Sequence, residues 1–324
     1  MKRATMVLIS TGAVCVAVAT ALYVTHDPVE QKQANTADVT SRHDDTRLAQ
    51  PRGALGRAPQ VGILVAREKA RDNPYWAEVY SPNLVEAFRR VAAVDDPAAA
   101  ATAFEISVRC SLYTDLLYPR TLEKIERGGA KPEVMTRQRE VAEAQRKRCL
   151  GFTSDDIALG VSRQAYLKER NDPRSAANNL PFTMPDEAFA KAKAAAELKD
   201  PYAIREVGTY FLSRMDLGRN PTYDLGDGLQ VTPRMMYDAF TLAACSYGED
   251  CSPANTLVAS RCVNAGQCDA SSVEDLLLRY SYSPADAERL LALRQIVLTG
   301  LDSGRWPTNF WTAPRQIPAH LLKR

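Results

Sequence analysis

One ten-residue stretch, at residues 194–203, reads AAAELKDPYA. Its alanine-rich half has high helix propensity. Asp200 followed by Pro201 is typical of a helix N-cap with proline at the first helical position. The small residue Ala203 would let the new helix approach its predecessor closely. The stretch therefore predicts a helix, a short turn and a second helix that packs against the first.

The same cap followed by proline recurs along the chain beyond residue 75. The seven instances are Ser81-Pro82, Asp96-Pro97, Asp172-Pro173, Asp200-Pro201, Thr232-Pro233, Ser252-Pro253 and Ser283-Pro284. Proline suits the first helical position because its missing N–H is no loss there. Sustained alternation of β-branched and polar residues is nearly absent, so the sequence predicts an all-α fold.

Three of these junctions, at Asp96, Asp172 and Asp200, share an apolar or alanine-rich helix end, an Asp-Pro pair and a small residue. Repeated junctions of this kind are typical of helix-turn-helix arrays. An ordinary helical bundle would also use Asp-Pro to begin its helices. The short pattern alone leaves both architectures open.

Residues 200–248 favour the array because they resemble a known repeat. The residues that carry the resemblance are Ala203, Gly208, Tyr210, Ala239, Ala243, Ala244 and Gly248. They are similar to the Sel-one-like subclass of tetratricopeptide-like repeats, and residues 244–251 resemble helix junctions of its cysteine-rich bacterial secreted members. The sequence departs from that pattern in a long insertion, Ser213 to Val231, and in the close spacing of Cys245 and Cys251. The resemblance implies a helix-turn-helix repeat domain (α/α) over residues 75–304 and an interaction role, and it assigns no site residues.

The N-terminus predicts export. Lys2 and Arg3 precede an uncharged hydrophobic stretch, Met6 to Val24. At about 1.5 Å per residue this stretch would reach roughly 28 Å, enough to cross a bilayer core. Small residues at 17–21 also fit a signal-peptidase site. Residues 1–24 are therefore a signal anchor, with the domain facing the periplasm from a bacterial inner membrane, or a signal peptide that leaves a soluble periplasmic or secreted protein.

A polar segment, residues 25–74, follows the hydrophobic stretch. Its composition predicts a flexible, disordered linker. Such a linker would let the folded domain stand away from the membrane. The short apolar run VGILV at residues 61–65 leaves an alternative, in which this run docks onto the domain.

Six cysteines lie beyond the hydrophobic stretch: Cys110, Cys149, Cys245, Cys251, Cys262 and Cys268. An even number of thiols in an oxidising compartment predicts three disulfides. The two five-residue spacings in the cysteine-rich part, residues 232–304, each enclose a glycine. Each of these pairs would link the end of one helix to the start of the next. Cys110 would then pair with Cys149. A tetrahedral zinc site is the competing interpretation, which the spacing disfavours, so we expect no cofactor.

Charge and motifs narrow the function classes. The chain has 41 basic and 39 acidic residues, and the two numbers are equal once Lys2 and Arg3 are set aside. The sequence therefore lacks the excess of positive charge that is typical of nucleic-acid-binding proteins. No histidine lies between Tyr75 and Arg305, which excludes most nucleophile–histidine mechanisms. Glycan cleavage by paired carboxylates stays open. We expect a protein that is not an enzyme.

Two segments are candidates for contacts. The aromatic and proline-rich tail, residues 305–324, holds Trp306, Phe310, Trp311 and Arg315. These residues would either anchor a partner or fold back to cap the last helix. The insertion contains oxygen-bearing and glycine residues that would suit either a calcium-binding site or an ordinary polar turn: Asn220, Asp224, Asp227 and Gly228.

The sequence thus predicts an exported envelope protein that acts as a scaffold or adaptor by binding another envelope protein. An uncleaved N-terminus would add a membrane contact through residues 6–24. The alternatives are a peptidoglycan-binding or glycan-cleaving protein that uses Asp and Glu in a helical groove, and a structural spacer.

Overall fold

The computed structural model describes residues 73–178, 185–213, 222–226 and 228–311. The expected anchor or signal peptide and the expected linker as far as residue 72 lie outside these ranges. Asn73, at the end of the expected linker, is buried, and its amide donates to Asp200 Oδ2 at 3.1 Å. No helix within the described ranges combines the length and the apolar composition needed to cross a membrane.

Helices dominate the described ranges, which confirms the all-α prediction. The α-helices are α1 (Leu84–Ala92), α2 (Pro97–Ser111), α3 (Tyr118–Arg127), α4 (Pro132–Arg148), α5 (Ser154–Glu169), α6 (Pro185–Glu197), α7 (Pro201–Ser213), α8 (Pro233–Cys245), α9 (Thr256–Ala265), α10 (Val273–Tyr280) and α11 (Pro284–Ser303). Short 3-10 helices lie at Trp76–Tyr80 and Pro173–Asn178. A small antiparallel pair, β1 (Tyr223–Asp224) and β2 (Gln230–Val231), is a local departure within the predicted insertion.

Capping side chains begin the helices at most of the predicted junctions. Asp96 accepts hydrogen bonds from the N–H groups of Ala98 and Ala99, at 2.8 and 3.1 Å. Thr232 caps α8, and Ser283 caps α11 with the hydroxyl of Ser283 also donating to Asp286. These caps satisfy backbone donors that would otherwise be unpaired in the first turn. Asp200 precedes α7 in the same way, and Asp172 precedes a 3-10 helix.

Two predicted helix starts are wrong. Helix α1 begins two residues after Pro82 and is capped by Asn83, and α9 begins three residues after Pro253 and is capped by Asn255. The serine hydroxyls explain both delays, because Ser81 accepts from the N–H of Asn83 at 3.2 Å. Ser252 likewise accepts from the N–H of Ala254 at 3.2 Å. Each serine therefore closes a local turn, and the asparagine takes the cap.

The predicted cysteine pairs are all present as disulfides. The bonds join Cys110 to Cys149, Cys245 to Cys251 and Cys262 to Cys268, with Cα separations of 5.3, 5.7 and 4.2 Å. The expectation that the two short bonds reach the next helix is wrong, because α9 and α10 begin several residues later. Each short bond instead closes the turn that follows its own helix.

Buried apolar side chains form two clusters. The first core lies among helices α1 to α5 and includes the fully buried Phe88 and Ile106. The second core lies among helices α6 to α11 and includes the fully buried Phe211 and Phe240. The first core also receives Tyr202 and Val263 from the second half of the chain, so the two halves share buried surface.

Helices α7 and α8 pack closely at a glycine. A Cβ added at Gly208 would lie 3.0 Å from the carbonyl oxygen of Tyr237 and 3.1 Å from Cβ of Phe240. Side chains larger than hydrogen would force the helices apart, and this would cost packing in the second core. Gly208 therefore sets the spacing of the helix pair that lies at the centre of the second core.

Candidate functional site

Four charged side chains join the two halves of the domain away from water. Glu105 and Arg109 lie on α2, Arg205 lies on α7, and Glu249 follows α8. Arg109 donates to Glu105 at 2.7 Å and to Glu249 at 3.0 Å, while Arg205 donates to both oxygens of Glu105. We call these four residues the ion cluster. Its two positive and two negative charges balance, as buried charges must.

The two carboxylates of the ion cluster respond differently to their surroundings. Burial alone would raise the pKa of Glu105, but the guanidinium groups of Arg205 and Arg109 outweigh it and lower the pKa to about 2. Burial raises the pKa of Glu249, and the attraction of Arg109 and Arg205 offsets only part of that rise. The arginines therefore hold Glu105 in its ionised form more firmly than they hold Glu249.

A neighbouring carboxyl group, on Glu206 of α7, lies at the edge of this cluster and is half-buried. Burial raises its pKa to about 7, against the attraction of Arg205 and with the help of the negative Glu105. Carboxylic acids with raised pKa values beside ionised ones occur in catalytic sites. Glu105, however, is ion-paired with two arginines, so the arrangement is more typical of a structural contact between helices than of a catalytic acid–base pair.

A loop that we call the cysteine loop, residues 246–255, brings Glu249 to the cluster. The hydroxyl of Tyr80 accepts from the indole N–H of Trp76 and from the N–H of Asp250, both at 2.8 Å, and donates to the carbonyl of Gly248 at 3.2 Å. The 3-10 helix at the start of the domain thus holds the backbone on both sides of Glu249. The position of Glu249 is therefore set by contacts with the first half of the chain.

An open groove of about 650 Å³ lies beside the Cys245–Cys251 disulfide. It is lined by Cys245, Cys251, Ser272, Glu274, Asp275, Leu278, Arg279 and Arg294. The charges on its walls are paired, Arg294 with Glu274 at 2.8 Å and Arg279 with Asp275 at 2.6 Å. Burial would raise the pKa of Asp275, but hydrogen bonds from Ser271 and Arg279 outweigh it and lower the pKa. This carboxylate is poorly suited to donate a proton in catalysis.

The described part of the tail packs onto the second core. Phe310 is fully buried, and the rings of Trp306 and Trp311 are half-buried with centroids 4.9 Å apart. A Cβ added at Gly300 would lie 2.4 Å from the Trp306 ring, so this glycine makes room for the indole. Partner contact through the tail stays a prediction, and it would use the two tryptophans because the Phe310 ring is covered. Arg315 lies outside the described residues.

The insertion contributes to the core instead of standing apart from it. Tyr223 and Val231 are buried in the second core, and Asp224 accepts from the N–H of Gly226 at 3.1 Å. Gly228 lies in the turn between the strands with a positive φ of 77°, while Asn220 and Asp227 lie outside the described residues. Across the described ranges, no three His, Cys, Asp or Glu side chains are placed to hold a metal ion.

Exposed leucines lie near both cysteines of the Cys110–Cys149 disulfide along the chain. Leu116 is 74% exposed and Leu150 is 65% exposed, on the two turns that this disulfide joins. Arg146 donates to Asp115 at 3.0 Å and ties the same two turns together. Leu112, also exposed, is the C-cap of α2 and begins the first turn. We call Leu112, Leu116 and Leu150 the apolar patch. A patch of large apolar side chains held rigidly in water is typical of a contact surface.

Sequence reasoning missed both the ion cluster and the apolar patch. Glu105 and Arg109 lie four residues apart in an otherwise alanine-rich apolar helix. That placement was the available signal, because a charged pair inside an apolar run predicts burial with a partner. No protein-family model, curated protein or solved structure matches the chain.

Proposed function

We propose that this chain acts in the bacterial cell envelope as a helical scaffold that binds another protein, and that the apolar patch is the contact. The observation that carries the proposal is the exposure of Leu116 and Leu150 on two covalently joined turns. Burying a leucine side chain contributes about 1.5–3 kcal/mol, so leaving two of them in water forgoes a sizeable stabilisation. A partner that covers the patch would recover it.

Rigidity adds to the case for binding. The disulfide joins the two turns covalently before any partner arrives, and the Arg146–Asp115 ion pair, whose aspartate is exposed, adds little to it. Arg146 also lies over the ring of Tyr118, 4.4 Å from its centroid. Little conformational freedom is therefore lost on docking, and arginine and tyrosine are enriched in binding hot spots.

Export and repeat architecture complete the proposal. The three disulfides fit an oxidising compartment, to which the hydrophobic N-terminus would deliver the chain. The close pair α7 and α8, with Gly208 at its contact, is consistent with a helix pair of a Sel-one-like or tetratricopeptide-like array. An uncleaved N-terminus would hold the scaffold at the inner membrane.

The glycan-cleaving alternative gains no support from the groove. Retaining and inverting mechanisms both need one carboxylic acid with a raised pKa facing the sugar. The groove carboxylates are ion-paired, and the pKa of Asp275 is lowered.

The test compares the full-length chain with the double variant Leu116→Ser/Leu150→Ser. Each protein is cross-linked in envelope preparations, and the captured species is identified and its affinity measured. We expect one stoichiometric protein partner whose affinity falls about 100-fold in the double variant, since each buried leucine contributes at least about one factor of ten.

The matched control is Leu291→Ser on α11, because Leu291 is exposed to a degree similar to Leu112 but lies outside the apolar patch. This variant should keep the partner at wild-type affinity. Retention of the same partner within about twofold by the double variant would overturn the assignment of the contact. Thermal unfolding of all three proteins should coincide, because exposed leucines contribute little to the folded state.

A further inference from the structure

The three disulfides differ in how far solvent reaches them. Cys110 and Cys149 are buried, at 0% and 2% exposed, and Cys262 is buried at 2%. Cys245 and Cys251 are both half-buried, and both line the open groove. Among the described disulfides, Cys245–Cys251 is therefore the one in which both cysteines line an open groove.

The groove can admit a reacting thiol. Its volume of about 650 Å³ is large enough for a small dithiol or for a cysteine-bearing loop. Leu278 offers an apolar contact, and the paired charges of the groove walls leave no strong field of one sign. Access, the first requirement of thiol–disulfide exchange, is met here.

The two sulfurs are not equivalent. The carbonyl of Cys251 accepts from the N–H of Val273 at 3.0 Å, which places the backbone of Cys251 beside the N-terminus of α10. Cys245 ends α8 and lies at that helix's C-terminus. Helix N-termini stabilise negative charge and C-termini do not. Cys251 is thus the better leaving thiolate, and Cys245 is the better target of attack.

We propose that Cys245–Cys251 is a thiol–disulfide exchange site for an external dithiol, and that its reduction releases the cysteine loop from the ion cluster. A thiolate of the dithiol attacks Sγ of Cys245, forms a mixed disulfide and breaks the Cys245–Cys251 bond. The electron pair leaves on Sγ of Cys251, which takes a proton from water. The second thiol of the dithiol then attacks the dithiol's first sulfur, which is bonded to Sγ of Cys245 in the mixed disulfide. This attack closes the dithiol into a disulfide and releases Cys245 as a thiol. The dithiol becomes a disulfide, and the protein gains two electrons and two protons.

The consequence reaches the joint between the two halves of the domain. The cysteine loop carries Glu249, which pairs with Arg109 at 3.0 Å, and its backbone is bonded on both sides to the hydroxyl of Tyr80. With the disulfide intact, the loop is closed at Cys245 and Cys251, around Glu249. After reduction the loop is held without a covalent tie, by the ion pairs of Glu249 and by hydrogen bonds, and its departure leaves Arg109 and Arg205 of the ion cluster with one carboxylate, Glu105.

The first experiment measures the rate at which each cysteine is reduced. The oxidised full-length chain is exposed to dithiothreitol for increasing times, quenched with an alkylating reagent and mapped by mass spectrometry. We expect Cys245 and Cys251 to be labelled at least about tenfold faster than the four other paired cysteines. Equal rates, or faster labelling of Cys262 and Cys268, would overturn the proposal.

A second arm tests the direction of attack with glutathione, a monothiol whose mixed disulfide is trapped by alkylating the released cysteine thiol before it can displace glutathione. The adduct should lie on Cys245 in at least about nine of ten modified molecules, because the Cys251 thiolate is the better leaving group. Equal adducts on both cysteines would overturn this step.

The third arm measures release of the loop by amide hydrogen exchange. After selective reduction of the wild-type chain, the N–H of Asp250 should exchange at least about tenfold faster, because its bond to Tyr80 is lost. The variant Cys245→Ser/Cys251→Ser should behave in the same way, and Cys262→Ser/Cys268→Ser is the matched control with an unchanged rate. Unchanged exchange of Asp250 in the reduced wild-type chain would refute the coupling, whether or not the variants fold.

Discussion

The ion cluster and the groove each hold two arginines and two acidic residues, but water reaches them very differently. The side chain of Arg109 is 4% exposed and that of Arg279 is 45% exposed. In the cluster, removal of one charge strands its partners in an apolar interior. In the groove, water and salt replace whatever is removed. The number of ion pairs therefore says little about the stability of a fold unless the burial of each pair is known.

The largest effect should come from Glu105→Gln. This change leaves Arg109 and Arg205 facing one another with Glu249 as the remaining counter-charge. Breaking a buried ion network by removing one partner costs about 3–5 kcal/mol of unfolding free energy. Urea denaturation at pH 7 measures it. Glu249→Gln is the matched comparison and should cost less, because burial raises the pKa of Glu249 and makes its charge harder to hold.

Acid should erase the contribution of Glu105. Its pKa in the folded state, about 2, lies below the ordinary value of 4.5, so its ionised form stabilises the fold fully above about pH 4.5. That contribution, up to about 3 kcal/mol, should disappear as the pH falls toward 2. Urea unfolding of the wild-type chain and of Glu105→Gln across this range should show the difference between them shrinking. A constant difference would contradict the assignment.

Glu206 should produce a pH dependence of opposite sign. Its raised pKa, about 7, means that the folded chain holds this proton while the unfolded chain releases it near pH 4.5. Stability should therefore fall as the pH rises from about 4.5 to 7, by about 1–2 kcal/mol for a half-buried group. Glu206→Gln should flatten the profile in that window. If the unfolding free energy of the wild-type chain rose with pH in this window, and Glu206→Gln showed the same profile, the raised pKa of Glu206 would be contradicted.

The smallest effect should come from the groove. Glu274→Gln removes the partner of Arg294 from a pair in which the glutamate is exposed and the arginine is half-buried. We expect a loss of about 0–1 kcal/mol, which 0.5 M salt would abolish. Urea titrations of Glu274→Gln and Glu105→Gln under the same conditions compare the two losses of unfolding free energy. Losses of similar size would contradict the expectation that burial decides how much an ion pair contributes.

Local features of the fold could be predicted from the sequence. Asp96, Thr232 and Ser283 begin helices where the cap-and-proline pattern placed them, because each cap bonds to its own first turn. The short disulfides follow from spacing for the same reason. The starts at Ser81 and Ser252 were missed because both residues could close a turn or cap a helix, and a nearby asparagine took the second role.

The candidate sites could not be predicted in the same way, because they depend on distant parts of the chain. The partners of Arg109 and Glu105 in the second half lie 140 and 100 residues away, at Glu249 and Arg205. The apolar patch exists because a disulfide joins Cys110 to Cys149 across 39 residues. Helix periodicity reports which side of a helix is apolar, and it carries no information on which charged side chain meets which.

The long separation within the ion cluster has a consequence for the order of folding. During synthesis, Arg109 emerges 140 residues before Glu249. At about 5–20 residues per second, the first half of the domain therefore waits for many seconds before its last counter-charge exists. Cys110 and Cys149 are both made early in that interval and can be joined first. A nascent chain that stops before residue 249 therefore lacks both Glu249 of the ion cluster and Val263 of the first core, so neither is complete until the second half of the domain has been made.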